Sequence, residues 1–297
     1  MAVSRQALAG QLRDDARRRA AALGARAERA LILEALLTPK PALVDRRGPG
    51  AHHDLDLARL LRSAHALRGS FERMALAADG GAVGVPLRER LGALGRRAEL
   101  LMLTASGGSN THRGAIYVLG LLVASLALSS ADASPKELAA TAARLARLPD
   151  RYAPLLDSNG ARACRTFGVG GARAEAAEGF PHVIRVGLPA LKAARARGVG
   201  ESGARLDALM AIMASLDDTC LLHRGGWPAV EAARRGARAV LAAGGSSSTP
   251  GRAQLLALDA ELKRRNASPG GCADLLAACL LIDGGKDSSC EDNSWNA

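Results

Sequence analysis

Five of the six histidines lie in polar, glycine-rich segments between apolar stretches of the sequence. They are His52, His53, His112, His182 and His223, and only His65 lies in a plain helical pattern. The segments are TPKPALVDRRGPGAHHDLD (38–56), SGGSNTHRG (106–114), FGVGGARAEAAEGFPHV (167–183), DDTCLLHRGG (217–226) and NASPGGCADLL (266–276). Because functional groups collect in loops at helix ends, this pattern predicts one site assembled from distant segments. The plainer alternative is that histidines favour turns and surfaces.

An adjacent acidic pair, Asp217 and Asp218, opens the fourth of these segments. Helical spacing puts Asp217, Leu221 and Arg224 on one face, so the two carboxylates are expected to have separate roles. Such groups can act as general acids or bases, or bind Mg²⁺. The alternative is an acidic pair that only opens a solvated helix face.

Two further carboxylate arrangements follow from helical spacing. Glu175 and Glu178 lie three residues apart on a predicted short helix that ends at Gly179. If a helix begins near His53, then His53 and Asp56 share a face and could act as a pair. Each of these residues could equally be a helix cap or a surface charge.

The segment 106–114 precedes the most apolar helix of the sequence. Asn110 or Thr111 is its predicted N-cap, and the free N–H groups of a helix N-terminus bind anions. His112 and Arg113 would add side-chain donors to such a site. The sequence lacks the P-loop motif, a glycine-rich loop that ends in Lys followed by Ser or Thr, so a P-loop is not predicted.

Charge and cysteine content narrow the class of protein. The chain has 40 Lys and Arg against 29 Asp and Glu, a net charge of +11, which predicts an anionic partner such as nucleic acid, a membrane surface or a phosphorylated small molecule. Aromatic residues make up only 2% of the chain, so a protein that binds single-stranded nucleic acid by base stacking would have few aromatic side chains to use.

The chain has five cysteines without a CxxC pair and no secretion signal. This pattern predicts a cytoplasmic protein without a disulfide framework or structural zinc. Cys272 is expected to pack rather than to react, because no activating base accompanies it in the sequence.

Helix-forming residues dominate the chain, and no long alternating pattern indicates a sheet. We therefore predict an all-α, single multi-helix domain over residues 1–283 whose site is formed by glycine-rich interhelical loops, followed by a polar, disordered tail over 284–297. The uncharged stretch from Gly114 to Ala131 is interpreted as a buried central helix rather than a membrane span. Apolar positions recur at helical spacing in 20–37, 55–68, 87–104, 136–148, 205–222, 229–242, 253–264 and 273–282.

Taken in chain order, TPKPALVD, NTHRGAIYVLG, GFPHV, DDTCLLHRGG and SPGGCADLL closely resemble the triphosphoribosyl-dephospho-CoA synthase family. The resemblance extends from about Leu36 to Ile282. Within the family, GGARAEAAEGFPHV and LDDTCLLHRGG are most similar to the malonate-decarboxylase-associated branch, whereas the citrate-lyase-associated branch would have Asn in place of Cys220. Ala42, Arg113 and Cys272 depart from the commoner Gly, Lys and Ser, and Ala42 argues against a need for positive φ at that position.

The resemblance implies an all-α transferase that joins ATP to 3′-dephospho-CoA and releases adenine. Its product would be the precursor of the prosthetic group carried by the acyl-carrier subunit of malonate decarboxylase, which a separate holo-carrier-protein transferase would attach. Mg²⁺ is expected with ATP, and no organic cofactor. Neither nucleic acid nor a membrane is expected as a partner, and the oligomeric state stays open, with a homodimer as one option.

The implied reaction gives the candidate residues their roles. Breaking the bond between ribose and adenine builds positive charge at C1, so the site needs a proton donor near the base and negative charge near the sugar. The catalytic candidates are His112 or His223 as the acid, and Asp217 and Asp218 among the carboxylates. Mg²⁺ is assigned to Asp217 or Asp218 together with Asp56 or Glu175. Substrate and phosphate binding is assigned to Lys40, Arg46, Asn110, Thr111, Arg113, Arg224, Gly225, Ser268 and Gly270.

Two alternatives come from other classes of protein. A basic helical protein that binds nucleic acid would explain the net charge, but not why His, Asp, Asn and Gly concentrate in the same five segments. A different nucleotide enzyme, either a phosphotransferase or a hydrolysing N-glycosidase, would explain the segments but would yield different products.

Overall fold

A computed structural model describes residues 2–154 and 158–284, and within these ranges the backbone is helical with no β-strand. The predicted all-α fold is therefore confirmed. The elements are α1 (Ala2–Leu36), α2 (Leu57–Ala78), α3 (Val85–Ser106), α4 (Arg113–Leu128), α5 (Pro135–Arg147), α6 (Asn159–Phe167), α7 (Gly171–Ala177), a π-helical segment (His182–Gly187), α8 (Leu188–Ala196), α9 (Glu201–Met213), α10 (Thr219–Ala242), α11 (Thr249–Arg264) and α12 (Gly270–Asp283).

The central helix of the fold is α4, as its uncharged sequence predicts. It packs against α2, α3, α5 and α12, and its residues from Val118 to Ser125 are all buried. The Ser125 hydroxyl, which would otherwise be unsatisfied there, donates to the Leu138 carbonyl at 2.6 Å. No helix in the described ranges combines the length and apolar character needed to cross a membrane.

Local signals set the ends of several helices. A capping box begins α5: the Ser134 hydroxyl accepts from the Glu137 N–H, and the Glu137 carboxylate accepts from the Ser134 N–H. Gly284, in the left-handed region with φ 84°, ends α12. The helix thus ends where the predicted domain ends, and the predicted disordered tail stays a prediction because residues 285–297 lie outside the described part of the chain.

The single helix predicted over 205–222 is wrong. The structure ends α9 at Met213 and starts α10 at Thr219, because the Asp218 side chain accepts from the first N–H groups of α10. Gly226, with φ 61° and ψ −162°, interrupts helical geometry inside α10. The helical segments at 159–167 and 182–196 were not among the predicted ranges, since their short apolar runs carry little periodicity.

The first and last described helices pack against each other. Arg26 of α1 donates from Nε to the Leu281 carbonyl at 2.6 Å and from Nη2 to the Ile282 carbonyl at 2.8 Å. Carbonyls in the last turn of a helix have no partner within that helix, so this guanidinium satisfies the C-terminal end of α12 from a distant part of the sequence.

The expectation that Ala42 does not adopt positive φ is wrong. Its φ is 54°, the left-handed region, where a Cβ is disfavoured. Two hydrogen bonds hold it there: its N–H donates to Asp259 Oδ1 at 2.7 Å, and its carbonyl accepts from the Ala51 N–H at 2.9 Å. The loop between α1 and α2 therefore needs this conformation even without a glycine.

Replacing Ala42 with glycine is expected to stabilise the fold by about 0.5–1 kcal/mol, because the relief of left-handed strain exceeds the added entropy of the unfolded chain. Urea denaturation measures this change. Ala51→Gly is the matched control: Ala51 is buried in the same loop without positive φ, so this variant should lose stability. Equal losses in the two variants would contradict the prediction.

Candidate functional site

Four of the five polar segments meet around α10, and the fifth, 106–114, contacts segment 38–56 through Ser109 Oγ, which donates to the Asp54 carbonyl at 2.8 Å. Arg224 Nη1 donates to the Ala51 carbonyl at 2.9 Å, and Arg224 Nη2 lies 3.0 Å from His52 Nδ1. His52 Nε2 lies 2.9 Å from Ser268 Oγ. Segments 38–56, 217–226 and 266–276 are therefore in direct contact. The ring of Phe167 meets that of Trp227 edge-on, with 6.5 Å between centroids, which brings the segment 167–183 to the same helix.

These contacts define the state of His52. Arg224 is a donor only, so His52 Nδ1 accepts and Nε2 carries the proton that is donated to Ser268. Burial, followed by the positive charge of Arg224, lowers the pKa of His52 to about 4. His52 is thus a neutral residue that connects two loops, a role that the sequence analysis did not assign to it.

Asp218 connects the starts of α10 and α12. Its carboxylate accepts from the N–H groups of Cys220 at 2.8 Å, Leu221 at 3.3 Å and Cys272 at 2.8 Å. Burial raises the pKa of Asp218, and these backbone donors act in the opposite direction. Glycine at position 271 lets α12 approach this closely, because a Cβ there would lie 3.1 Å from Asp218 Oδ2.

Asp217 has a different environment from Asp218, and the separate roles of the two adjacent carboxylates stay a prediction. Asp217 lies before α10 rather than on the predicted helical face with Leu221 and Arg224. Its Oδ1 accepts from Arg234 Nη2 at 2.6 Å, and it is half exposed.

Asp218 belongs to a group of three buried or half-buried carboxyls with Glu34 and Asp274. The Asp274 carboxyl lies against the backbone of α4 at Gly114, where there is no room for a Cβ, and it accepts from the Ala115 N–H. Burial, followed by the charges of Glu34 and Asp218, raises the pKa of Asp274 well above its ordinary value. These carboxyls connect α4 and α12 with the end of α1.

Lys40 provides the positive charge of this group. Its ammonium donates to Glu34 Oε1 at 2.6 Å and to the Glu34 carbonyl at 2.7 Å. Only 1% of Lys40 and 6% of Glu34 are exposed, so this is a fully desolvated ion pair. The predicted role of Lys40 as a phosphate ligand would require the loss of these contacts.

His112 lies beside Lys40 with one nitrogen free. Thr111 Oγ1 donates to Ser63 Oγ at 2.7 Å, so the Ser63 hydroxyl proton is available to His112 Nδ1, which lies 2.9 Å away. This arrangement assigns the proton of the ring to Nε2. Nε2 is buried and has no hydrogen-bond partner within residues 2–154 and 158–284. Burial, followed by the charge of Lys40, lowers the pKa of His112 to about 3, so the ring is neutral.

Two sequence predictions about helix starts are wrong. The N-cap of α4 is His112 rather than Asn110 or Thr111, although Asn110 Oδ1 still accepts from the Arg113 N–H at 3.2 Å. His53 precedes α2, whose N-cap is Asp56, so the two do not share a helix face. The reason is that Asp56 Oδ1 accepts from the Arg59 N–H and starts the helix after it.

The remaining predicted site residues range from exposed to buried. Arg113 Nε pairs with Glu99 at 3.2 Å on the rim. His223 is exposed, and slight burial with the charges of Arg162 and Arg224 lowers its pKa. Arg46 is also exposed, Ser268 is buried, and Gly225 and Gly270 are half-buried.

A second group forms where α7 meets the π-helical segment. His182 Nδ1 lies 2.8 Å from Glu175 Oε2, and the His182 N–H donates to Glu175 Oε1 at 2.9 Å. The hydrogen bond that protonated His182 donates to Glu175 chiefly raises the pKa of His182, and the charge of Asp217 adds to this effect. Glu175 and Asp217, two of the predicted metal ligands, therefore act on the same histidine.

We expect the contribution of His182 to stability to fall as pH rises. Because its folded pKa is raised, the pair with Glu175 stabilises fully below the unfolded pKa of about 6.5 and is lost as pH rises through the folded pKa. The difference in Tm between the unsubstituted protein and His182→Gln should be larger at about pH 5.5 than at about pH 9. His65→Gln is the control, because His65 pairs with Glu28 but is largely exposed. A difference that does not vary with pH would refute the prediction.

The predicted metal ligands make separate contacts in the described structure. Within the described ranges, no group of three or more His, Cys, Asp and Glu side chains is arranged to hold a metal ion. Asp56 caps α2, while Glu175 and Asp217 engage His182 and Arg234. These residues fit only an ion whose other ligands are water and the phosphate oxygens of a substrate.

Sequence reasoning missed Glu34, Ser63 and Asp274. Glu34 and Asp274 are isolated acids within the apolar runs LILEALL and CADLLAACLLI. An ionisable residue that replaces an apolar one on a buried helix is costly unless it has a partner, and this signal could have identified both. Ser63 offers no comparable signal, because serine is common on helices.

Comparison with known proteins gives consistent matches. The profile of a family described as ATP:dephospho-CoA triphosphoribosyl transferase matches residues 20–292. A probable 2-(5''-triphosphoribosyl)-3'-dephosphocoenzyme-A synthase of Pseudomonas fluorescens is 57% identical over 255 residues, which cover 86% of this chain and 88% of the relative. The 2-(5''-triphosphoribosyl)-3'-dephosphocoenzyme-A synthase of Klebsiella pneumoniae is 53% identical over 253 residues, 85% of this chain and 90% of that protein. No solved structure matches.

Proposed function

Since the chain belongs to the ATP:dephospho-CoA triphosphoribosyl transferase family, we propose that it transfers the triphosphoribosyl group of ATP to the ribose 2′-hydroxyl of 3′-dephospho-CoA. In this reaction the bond between C1 of the ATP ribose and adenine breaks, and a bond from C1 to the acceptor oxygen forms. The hydroxyl proton leaves the acceptor, and adenine departs with a proton.

The observation that carries this proposal is the buried donor His112 Nε2–H, which lies near Lys40, the partner of Glu34. A buried donor that has no partner among the described residues is expected to pair with a polar atom of a ligand, because an unsatisfied buried donor is costly. Burial raises the pKa of Asp218 and Asp274, and the positive charge that develops on a ribosyl centre would favour their ionised forms, which would stabilise that charge.

The pKa and exposure of His112 and His223 suggest different proposed roles for the two residues. A ring with a pKa of about 3 carries no ionisable proton to give at neutral pH, so His112 acts as a hydrogen-bond donor to substrate. His223 is the better candidate for the acid that protonates departing adenine. It is exposed beside Arg224, and a bound triphosphate would oppose the effect of the arginines and raise its pKa.

Magnesium is proposed to arrive with ATP. Mg²⁺ commonly binds through one or two carboxylates together with substrate phosphates, and the candidate carboxylate is Asp217, which is half exposed and lies in the same segment as His223 and Arg224. The ion would supply neutralising charge to the triphosphate, which must stay intact. Arg46 and Arg224 are the candidate side chains for the same phosphates at the rim of the site.

We further propose that the enzyme serves malonate decarboxylase rather than citrate lyase. Support comes from the segments GGARAEAAEGFPHV and LDDTCLLHRGG, with Cys220 where the citrate branch would have Asn. The product is the same in both pathways and would pass to a holo-carrier-protein transferase, so growth is the test. Deletion of the gene should abolish growth on malonate and leave growth on citrate intact. The reverse pattern would assign the citrate pathway.

Mass spectrometry tests the reaction directly. Purified protein with ATP, Mg²⁺ and 3′-dephospho-CoA should form free adenine and a triphosphoribosyl adduct together. ADP or inorganic phosphate would instead indicate a phosphotransferase, and free adenine without the adduct would indicate an N-glycosidase. Either result would refute the proposed function.

A further inference from the structure

A groove of about 810 Å³ lies between α5 and the chain from Glu178 to Arg185. Its floor is apolar and includes Ala139, Ala143 and Ile184. Its rim carries four cationic side chains against the single acid Glu178: Lys136, Arg144, Arg147 and Arg185. The groove thus combines an apolar base with a strongly positive edge.

The four rim cations have no ion pair or hydrogen bond from their side chains within the described part of the chain. Many of the other arginines form ion pairs with carboxylates; Arg195, for example, pairs with both Glu201 and Asp283. Arg144 and Arg147 suit the last turn of α5 because cations there favour the helix dipole. That explanation does not extend to Lys136 in the first turn or to Arg185 across the groove. Four unpaired like charges around one depression favour an anionic ligand.

The groove is continuous in sequence with the candidate site. One wall contains Gly179 and Ile184, and between them lies His182, which bonds Glu175 and is affected by the charge of Asp217. Asp217 in turn precedes Asp218, which connects α10 and α12. A ligand in the groove could therefore extend toward the site along His182.

We propose that this groove binds the acceptor through its diphosphate and the uncharged amide chain attached to it, an inference that rests on the proposed function. The cations suit the diphosphate, since guanidinium groups form paired hydrogen bonds with phosphate oxygens. The apolar floor suits the flexible amide chain, which the acceptor has and ATP lacks. The volume is within the range of small-molecule sites, about 300–1,000 Å³.

Calorimetric binding of 3′-dephospho-CoA and of ATP tests this inference with the double variant Arg147→Gln/Arg185→Gln. Its matched control is Arg90→Gln/Arg97→Gln, which removes the same charge from two exposed arginines of α3 outside the groove. The groove variant should bind 3′-dephospho-CoA roughly tenfold or more weakly, because charge-assisted hydrogen bonds are lost. Its Kd for ATP should equal that of the control.

Three results would overturn the inference: an unchanged Kd for 3′-dephospho-CoA, a loss confined to ATP, or equal losses for both ligands. Circular dichroism and Tm establish that the variants are folded. Adduct formation, measured in parallel, separates this inference from the proposed function. Groove-dependent binding without any adduct would refute the function alone, whereas adduct formation with normal binding by the groove variant would refute the groove alone.

Discussion

His112→Ala is expected to lower the rate of adenine release by about 10²–10³-fold, the usual effect of removing one buried donor from a reacting site. The reason is that Nε2–H has no partner in the described part of the protein and the ring is neutral, with a pKa of about 3. The rate should show no pH dependence near neutrality that arises from this residue. Steady-state assays of adenine release, with Tm as the measure of folding, check both statements.

Two further variants separate donation from simple packing. His112→Gln keeps an N–H donor and should recover part of the rate, while Ser63→Ala should lower the rate by about tenfold because the ring loses the partner of Nδ1. If His112→Ala is folded and within threefold of the unsubstituted enzyme, the site assignment is wrong.

Lys40→Met is expected to destabilise the protein by about 3–5 kcal/mol, because it leaves the Glu34 carboxylate buried and without its partner. Asp274, whose pKa the charge of Glu34 helps to raise, offers that charge no compensation. Urea denaturation measures the loss. If Lys40 instead bound phosphate, its substitution would raise the KM for ATP and leave the free energy of unfolding nearly unchanged. This experiment therefore separates the structural role of Lys40 from the role predicted from sequence.

The double variant Glu34→Gln/Lys40→Met removes both charges and should recover much of the lost stability. Arg46→Met is the control, since Arg46 is an exposed cation of the same loop. A loss no greater for Lys40→Met than for Arg46→Met would contradict the proposed ion pair.

The all-α fold could be predicted because helical spacing of apolar residues extends over most of the chain. The failures are local. Over residues 205–222 the helical spacing of apolar residues continues without interruption, although α9 ends at Met213 and α10 begins at Thr219. Only the N-cap Asp218 marks the start of the second helix. The segment 182–196 includes a π-helical turn and a proline, so its period deviates from that of an α-helix.

The sequence could indicate which segments contribute to the candidate site, but not which side chains contact each other there. Clustering of histidines pointed to polar segments, of which 38–56, 217–226 and 266–276 lie in direct contact. It could not show that Lys40 faces Glu34 or that His52 connects Arg224 with Ser268, because such contacts depend on how helices far apart in sequence are packed. The same limit applies to Asp274: its place in an apolar run marks it as unusual, but burial and the charges of Glu34 and Asp218, which raise its pKa, depend on the folded structure.

The contact of Arg26 with the Leu281 and Ile282 carbonyls has a consequence for biosynthesis. These groups lie about 255 residues apart, so at roughly 5–20 residues per second α1 waits about 13–50 s for α12 to be synthesised. Until then α4 lacks one of the helices that cover it, and Asp218 lacks the Cys272 N–H that it binds in the folded chain. The site is therefore among the last parts of the molecule to be completed on the ribosome, and the nascent chain exposes apolar surface of the kind that chaperones bind during that interval.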